Sequence, residues 1–309
     1  MRLSVEIEKP VRSPLFYVGD KYKLMPQLKQ LFPRKISTYI EPFVGGGSSF
    51  LNTAAEKYHL NDINSWIIKI HNELNKYLSN EDVLFDSLFQ IIDQYNLTCT
   101  FRGHDVPDGY RQKYIKTYFA KANKEQYARL RDDFNNNQDD ILRLYLLLIY
   151  GFNHMIRFNS YGAFNLPVGN VDFNKNVANA LLNYIEICTN TDLEFYNLDY
   201  KEFLQKIDFQ EDSYIYLDPP YLISGSEYNK IWSEKEELEL YAMVDYLNSK
   251  GVRFGLTNLV NHKGQHNTIL EDWSRKYLVY NIKSNYISFN DNTIKSDSRE
   301  VFVTNYAKE

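Results

Sequence analysis

The sequence is poor in the residues that cross-link or metallate a small protein. Of 309 residues two are cysteine, Cys99 and Cys188, with no CxxC or metal-like spacing. That excludes a disulfide framework, and free thiols fit a cytosolic chain. The six histidines (His59, His71, His104, His154, His262 and His266) show no HExxH-like pairing, so no metal site is expected. Long apolar runs are missing too. The longest, Leu144 to Tyr150, is far too short to cross a bilayer. The amino-terminal MRLSVEIEKPVRSP has no apolar stretch fit for a signal peptide. A soluble, cytoplasmic chain without a membrane partner is expected.

Apolar residues make up 44% of the chain, enough for a sizeable core and too many for disorder. Tyrosine is abundant at 26 residues, and many of the rings are expected half-exposed, serving stacking or interfaces. Net charge is −5 but unevenly spread. From Phe101 to Arg131 eight basic residues face three acidic ones, a window of +5 against −10 for the remainder. Such segregation marks either a polyanion-binding surface, with Arg111, Lys113, Lys116 and Lys121 as candidates, or a solvated helix face.

The pattern along the chain is α/β. Tyr17-Val18-Gly19-Asp20-Lys21 precedes a helical pattern through Leu24, Leu28 and Leu31-Phe32 that Pro33 ends. Thr38 to Phe43 reads as a buried strand broken by Gly45-Gly46-Gly47, with a helix from Ser48. Tyr58 to Leu60 is a strand ending at Asn61-Asp62, and a helix runs from Ile63 to Leu74. Together these make a parallel βαβ unit. From about Leu84 to Asn190 helical patterns dominate around a Gly/Asn-rich interlude at Phe152–Asn174, read as an inserted module. Strands return at Ser213–Leu217 and Val252–Thr257. Between them lies a helix, Ser233–Ser249, with a Ser233/Glu236 capping box and Gly251 at its stop. Tyr277–Ile282 and Glu300–Asn305 suggest a terminal hairpin around a polar loop. The expected division is 1–83, 84–190 and 191–309, with the middle piece inserted into one catalytic core.

Three motifs carry chemistry. Phe43-Val44-Gly45-Gly46-Gly47 closes a strand, lets a ligand approach the backbone, and points helix N–H groups at it. No Gly-Lys-Ser/Thr follows and GxGxxG spacing is absent, so it is neither a P-loop nor the common dinucleotide fingerprint. Asp62, 17 residues beyond Gly45, either accepts hydrogen bonds from ribose hydroxyls or caps the following helix. Asp218-Pro219-Pro220-Tyr221 ends a strand and is the most specific signal. An exocyclic amine is a poor nucleophile because its lone pair is delocalised into the ring. The Asp218 carboxylate and the Pro219 carbonyl, in a turn made rigid by proline, could accept its two N–H bonds and localise that lone pair. Tyr221 offers a ring on which an extruded base can stack.

The order Tyr17-x-Gly19-x-Lys21, Glu41-Pro-Phe-Val-Gly-Gly-Gly, a long insert with Gly151-Phe-Asn-His-Met-Ile-Arg-Phe-Asn, then Asp218-Pro-Pro-Tyr resembles the Dam-type, alpha-class adenine-N6 DNA methyltransferases from about residue 14 onward. The resemblance implies a Rossmann-like S-adenosylmethionine-dependent methyltransferase sheet of seven strands, the last reversed, with helices on both faces. It implies a mainly helical target-recognition insert. It implies cofactor contacts at Tyr17, Lys21, Asp62 and Asp218, with Gly19, Phe43, Gly45 and Gly47 in the matching motifs and Asp199 near the cofactor adenine. The partner implied is double-stranded DNA, with GATC the leading target and a flipped adenine the acceptor. A cognate restriction endonuclease is a possible companion, and activity as a monomer is expected.

The stripe Tyr110, Tyr114, Tyr118 is expected to be a packing face, like Leu142 and Leu146. Met155 to Asn170 reads as a polar hairpin able to enter a major groove, where Arg157 could read guanine and Asn159 or Asn170 adenine. A basic residue usual after the Pro-x-Gly turn is replaced here by Asn170. The rival reading is a methyltransferase acting on another planar amine, RNA adenine or protein glutamine. A C5-cytosine enzyme is disfavoured because neither cysteine follows proline.

Overall fold

The computed structural model describes residues 9–224, 232–283 and 298–308. The first residues of the leader and the polar loop of the terminal hairpin lie outside them. In chain order the strands are β1 (Thr38–Glu41), β2 (Lys57–Asn61), β3 (Asp192–Tyr196), β4 (Tyr214–Leu217), β5 (Arg253–His262), β6 (Gln265–His266), β7 (Leu278–Ile282) and β8 (Arg299–Thr304). The helices are α1 (Met25–Leu28), α2 (Ser65–Asn75), α3 (Glu81–Tyr95), α4 (Tyr110–Tyr114), α5 (Tyr118–Asn136), α6 (Ile141–Tyr150), α7 (Lys175–Thr189), α8 (Tyr200–Lys206), α9 (Glu234–Ser249) and α10 (Thr268–Ser274).

The sheet runs β3-β2-β1-β4-β5-β8-β7, with β6 paired to β5. Its first five members are parallel, and β8 and β7 are antiparallel. Chain order reverses between β1 and β4, so the loops leaving these two neighbours diverge and open a crevice at the carboxyl edge.

Side chains of the central strands alternate between two cores. Tyr39, Tyr58, Tyr214, Tyr216 and Phe302 turn to one face, in a cluster continuous with the buried stripes of α3, α5, α6 and α7. Ile40, Ile215, Leu217, Leu256, Val301 and Val303 turn to the other, against α8, α9 and α10. The abundant tyrosine divides between core and surface, with Tyr17, Tyr22, Tyr77, Tyr196 and Tyr280 among many rings that are half-buried as read from its number. Twelve tyrosines are less than 9% exposed. Backbone carbonyls make that burial tolerable: the hydroxyls of Tyr58, Tyr127, Tyr145 and Tyr150 donate to Thr53, Leu147, Pro14 and Thr98.

Two local expectations fail for identifiable reasons. The helix expected from Ser48 is a single 3₁₀ turn, Phe50–Asn52. The side chains of Asn52 and Thr53 donate to the carbonyls of Ser48 and Ser49, which a continuing helix would need. The tyrosine stripe does not run along one helix, because α4 and α5 part at Ile115, a β-branched residue held at φ +34° and 72% exposed. Tyr110 meets Tyr114 edge-on, and Tyr118 lies under Arg111, all three half-buried. The capping box of α9 forms as read, and Gly251 follows at φ +79°. No helix among the described residues is long and apolar enough to cross a membrane.

Candidate active site

Loops from the carboxyl ends of β1, β2, β3 and β4 meet at the crevice. The turn after β1 holds Gly45 at φ +47° and Gly47 at φ +83°. A side chain on Gly47 would come within 2.3 Å of Phe50, so that position is closed to any larger residue, and one on Gly46 would come within 3.1 Å of Tyr17, which would have to give way. Tyr17 lies directly on it. Gly19 is exposed at φ +84° in the loop leading to Lys21.

Asp62 is tied to the turn: Gly45 N–H donates to Oδ2 at 2.9 Å and Asn64 N–H to Oδ1 at 2.8 Å. The helix cap is Asn64, whose side chain accepts from Trp66 N–H, so Asp62 is not the N-cap of α2. Burial pushes the Asp62 carboxyl up to about 6 against the pull of its two N–H donors. Phe43 packs with Tyr200 and edge-on with Trp232, centroids 5.4 and 5.9 Å away. Asp199 is exposed and caps α8 through Lys201 N–H at 2.9 Å.

At the end of β4, Asp218 is held by three donors. Lys21 Nζ lies 2.9 Å from Oδ2, while Thr257 Oγ1 and Tyr221 Oη donate to Oδ1 at 2.8 and 2.9 Å. Tyr221 is 8% exposed, and its one hydroxyl hydrogen is shared between Asp218 and Glu300, whose Oε1 lies 2.8 Å away. The Lys21 ammonium sits 4.8 Å from the centre of its ring and 3.9 Å from Glu300. Burial would lower the Lys21 pKa, but the Asp218 and Glu300 carboxylates outweigh it and raise it, so this lysine stays charged. Pro219 is buried and Pro220 half-buried.

Sequence reasoning passed over several residues here. Glu41, at the end of β1, is 2% exposed, and burial pushes its carboxyl well above the usual range, with Asp218 and Asp62 adding to the effect. Its Oε2 and the buried Tyr200 hydroxyl have no hydrogen-bond partner among the described residues. Asn61, fully buried at the end of β2, donates to the carbonyls of Pro42 and Leu198 and accepts from Leu198 N–H, joining three loops. Thr257 and Glu300 lie on strands that carry other polar residues as well, so their sequence context does not single them out.

The candidate DNA-contacting residues fall into two groups. Residues 151–168 form a narrow hairpin with antiparallel bridges Gly151–Val168 and Phe158–Phe164. Its tip, Asn159-Ser160-Tyr161, is exposed, Tyr161 by 93%. Asn159 Oδ1 closes the tip by accepting from Tyr161 and Ala163 N–H. Arg157 is turned into the hairpin, bonding Asn165 Oδ1 at 2.9 Å and its carbonyl at 2.8 Å. Asn170 Oδ1 accepts from Phe119 and Ala120 N–H at the start of α5. Met155 packs against the core. Among the basic residues Arg111 is paired with Asp105 at 2.7 Å, whereas Lys113, Lys116 and Lys121 are exposed and without an ion pair among the described residues.

A parallel sheet that reverses order at its centre and ends in an antiparallel pair, with these motifs on one edge, places the chain among the S-adenosylmethionine-dependent methyltransferases. Within them it belongs to the D12 class of N6 adenine-specific DNA methyltransferases, whose family model matches residues 17–287. It is 32% identical over 305 residues to the Type II methyltransferase M.FokI of Planomicrobium okeanokoites, covering 96% of this chain and 43% of the relative. With the modification methylase StsI of Streptococcus sanguinis the identity is 33% over 314 residues, 97% of this chain and 43% of the relative. The DNA adenine methylase of Escherichia coli (strain K12) is 31% identical over 217 residues, 69% of this chain and 66% of the relative. The chain thus spans less than half the length of the first two curated relatives.

Proposed function

We propose that this chain transfers a methyl group from S-adenosylmethionine to the N6 amine of adenine in double-stranded DNA, the base turned out of the duplex against Asp218-Pro219-Pro220-Tyr221. The observation that carries the reading is the Asp218 carboxylate, positioned by Lys21, Thr257 and Tyr221 at the switch point of the sheet.

The residues fit the methyl donor. The unpartnered Glu41 oxygen belongs to the residue two before Phe43, and the unpartnered Tyr200 hydroxyl to the ring that packs on Phe43, so an ammonium and a heterocycle would each find a polar partner near the start of the glycine turn. Tyr17, Gly19, Lys21, Phe43, Gly45, Gly47, Asp62 and Asp199 would hold it, with Asp62 on the ribose hydroxyls. When bound, S-adenosylmethionine supplies an electrophilic methyl group on a sulfonium. The rest falls to the protein. Asp218 accepts one N–H of the amine and the Pro219 carbonyl the other, so the nitrogen lone pair is localised away from the ring. Tyr221, anchored through its hydroxyl to Asp218 and Glu300, presents a ring that cannot swing aside. Turning the base out costs a few kcal/mol of stacking and pairing, which contacts to the duplex must offset.

Those contacts are assigned to residues 84–190 as the target-recognition segment, with Lys113, Lys116 and Lys121 on phosphates and the hairpin in the major groove. Because Arg157 and Asn170 are engaged within the protein, the exposed tip Asn159-Ser160-Tyr161 is the part offered to the bases. The proposed target is a short adenine-containing site of the GATC type, and a cognate restriction endonuclease is the proposed companion of a monomeric enzyme.

Asp218→Ala should lower methyl transfer by about a thousandfold or more while duplex affinity stays within about threefold, because the carboxylate acts only on the extruded amine. Incorporation of labelled methyl groups into DNA, RNA and protein substrates measures the first effect and identifies the acceptor. Activity within about tenfold of wild type would overturn the assignment. Digestion of the modified DNA by nucleases that require methylated or unmethylated GATC tests the site separately.

A further inference from the structure

We infer that His71, which belongs to none of the motifs above, is a positioning residue that fixes the cofactor turn at Gly45 and links it to Tyr184 of α7. The inference rests on the cofactor site proposed above and adds a residue to it. His71 lies on α2 and is fully buried. One ring nitrogen, Nε2, is 3.0 Å from the Gly45 carbonyl oxygen, and the other, Nδ1, is 3.1 Å from Tyr184 Oη. The ring stacks on Phe195 of β3 at 4.6 Å and 14°.

These contacts determine the tautomer. A carbonyl only accepts, so Nε2 carries the hydrogen. Burial keeps the imidazole neutral by lowering its pKa to about 4, which leaves Nδ1 as an acceptor. The Tyr184 hydroxyl therefore donates to Nδ1. It also lies 3.3 Å from Asn75 Oδ1. Since its one hydrogen is used on His71, the Asn75 amide is turned so that its nitrogen donates to the hydroxyl instead. The chain Asn75–Tyr184–His71–Gly45 then runs in one direction.

The consequence falls on the turn. Gly45 sits at φ +47°, with both its polar groups held, N–H by Asp62 and C=O by His71. In a planar trans peptide the next N–H points opposite to the carbonyl. Holding the Gly45 carbonyl toward α2 therefore directs the Gly46 N–H away from it. The ring also supports the turn sterically: its Cε1 would lie 3.3 Å from a side chain at Gly47. Without the bond from Nε2, the peptide between Gly45 and Gly46 could rotate at little steric cost, and the turn would lose its preformed shape. Tyr184 sits in α7, the helix that leads from the hairpin segment back to β3, so the same bonds tie that helix to the turn.

His71→Phe keeps an aromatic ring to stack and removes both hydrogen bonds. His71→Gln returns a donor near the position of Nε2. For His71→Phe we expect the Kd and KM for S-adenosylmethionine to rise about tenfold, with kcat at saturation and duplex affinity within about threefold of wild type. His71→Gln should recover most of the loss, and Tyr184→Phe should shift the same two constants by a smaller factor. In the protein without added ligand, the amides of residues 45–48 should exchange with solvent at least about tenfold faster in His71→Phe. Unchanged exchange and unchanged cofactor affinity in His71→Phe would overturn the inference. So would equal losses in cofactor affinity, kcat and duplex affinity with no recovery in His71→Gln, the pattern of general loosening. If His71→Phe does not fold, His71→Gln and Tyr184→Phe decide the question on the same readouts. A wild-type protein that binds no S-adenosylmethionine would sink the proposed function instead, and the exchange measurement would still judge His71.

Discussion

Asp62 is a carboxylate whose protonation should be visible in both stability and binding. Its folded value of about 6 exceeds the ordinary 3.8, because burial outweighs the N–H donors of Asn64 and Gly45. A raised folded value means that the folded state binds the proton more tightly than the unfolded chain does. The stabilising contribution is therefore present at acid pH and lost as pH rises through about 6. Cofactor binding should run the other way, since an ionised carboxylate is the stronger acceptor for ribose hydroxyls. Calorimetric titration with S-adenosylmethionine should show Kd rising severalfold as pH falls through about 6. Asp62→Asn should bind more weakly at neutral pH and without that inflection, since its single amide oxygen can accept from only one of the Gly45 and Asn64 N–H groups. A wild-type Kd that is flat across this range would remove Asp62 from the ribose.

At the scale of elements, the start of α5 depends on a residue far away in sequence. Phe119 and Ala120 N–H belong to the unpaired first turn of that helix, and Asn170 Oδ1 takes both from 51 and 50 residues away. Asn170→Ala should therefore cost about 1 kcal/mol of stability and weaken binding to all duplexes alike by disordering the basic corner. Tyr161→Ala, at the exposed tip, should leave thermal stability unchanged and alter binding to DNA. Thermal melts and anisotropy titrations on matched and mismatched duplexes distinguish the two. A change of base preference in Asn170→Ala would return that residue to base reading. The same contrast explains what could be read from sequence. The β1–turn–β2–acid unit and the capping box of α9 were legible because their partners lie close in the chain, within 17 residues for Asp62 and Gly45 and three for Ser233 and Glu236. Asn61 meets Leu198 across 137 residues, Tyr221 meets Glu300 across 79, and His71 meets Tyr184 across 113, and no local pattern announces such pairs. Arg157 shows a related ambiguity. A guanidinium on a polar hairpin suits guanine as well as it suits a carboxamide across the hairpin, and the fold supplies Asn165.

For the whole molecule the charge is segregated, with +5 over residues 101–131 against −10 for the remainder. The structure narrows the basic corner. Arg102, Arg111 and Arg131 are paired with Asp93, Asp105 and Asp132, so much of the arginine charge is compensated within the segment. Exposed positive charge is left mainly on Lys113, Lys116, Lys121 and Lys124 around the α4–α5 break, where Lys113 and Lys121 flank the Tyr114 ring at 5.2 and 5.8 Å. These exposed ammonium groups favour the approach of a duplex to this corner. Each phosphate neutralised releases counterions and adds about 0.9 to the slope of log K against log salt. Replacing Lys113, Lys116 and Lys121 together by glutamate should reduce that slope by about 3 and weaken target and non-target duplexes by the same factor. Anisotropy titrations over a range of about 50–200 mM salt measure both quantities. The discrimination between duplexes should survive, because phosphate contacts position the protein without reading sequence. If the triple variant keeps the wild-type slope, the corner faces solvent in the complex and the duplex must lie on another face.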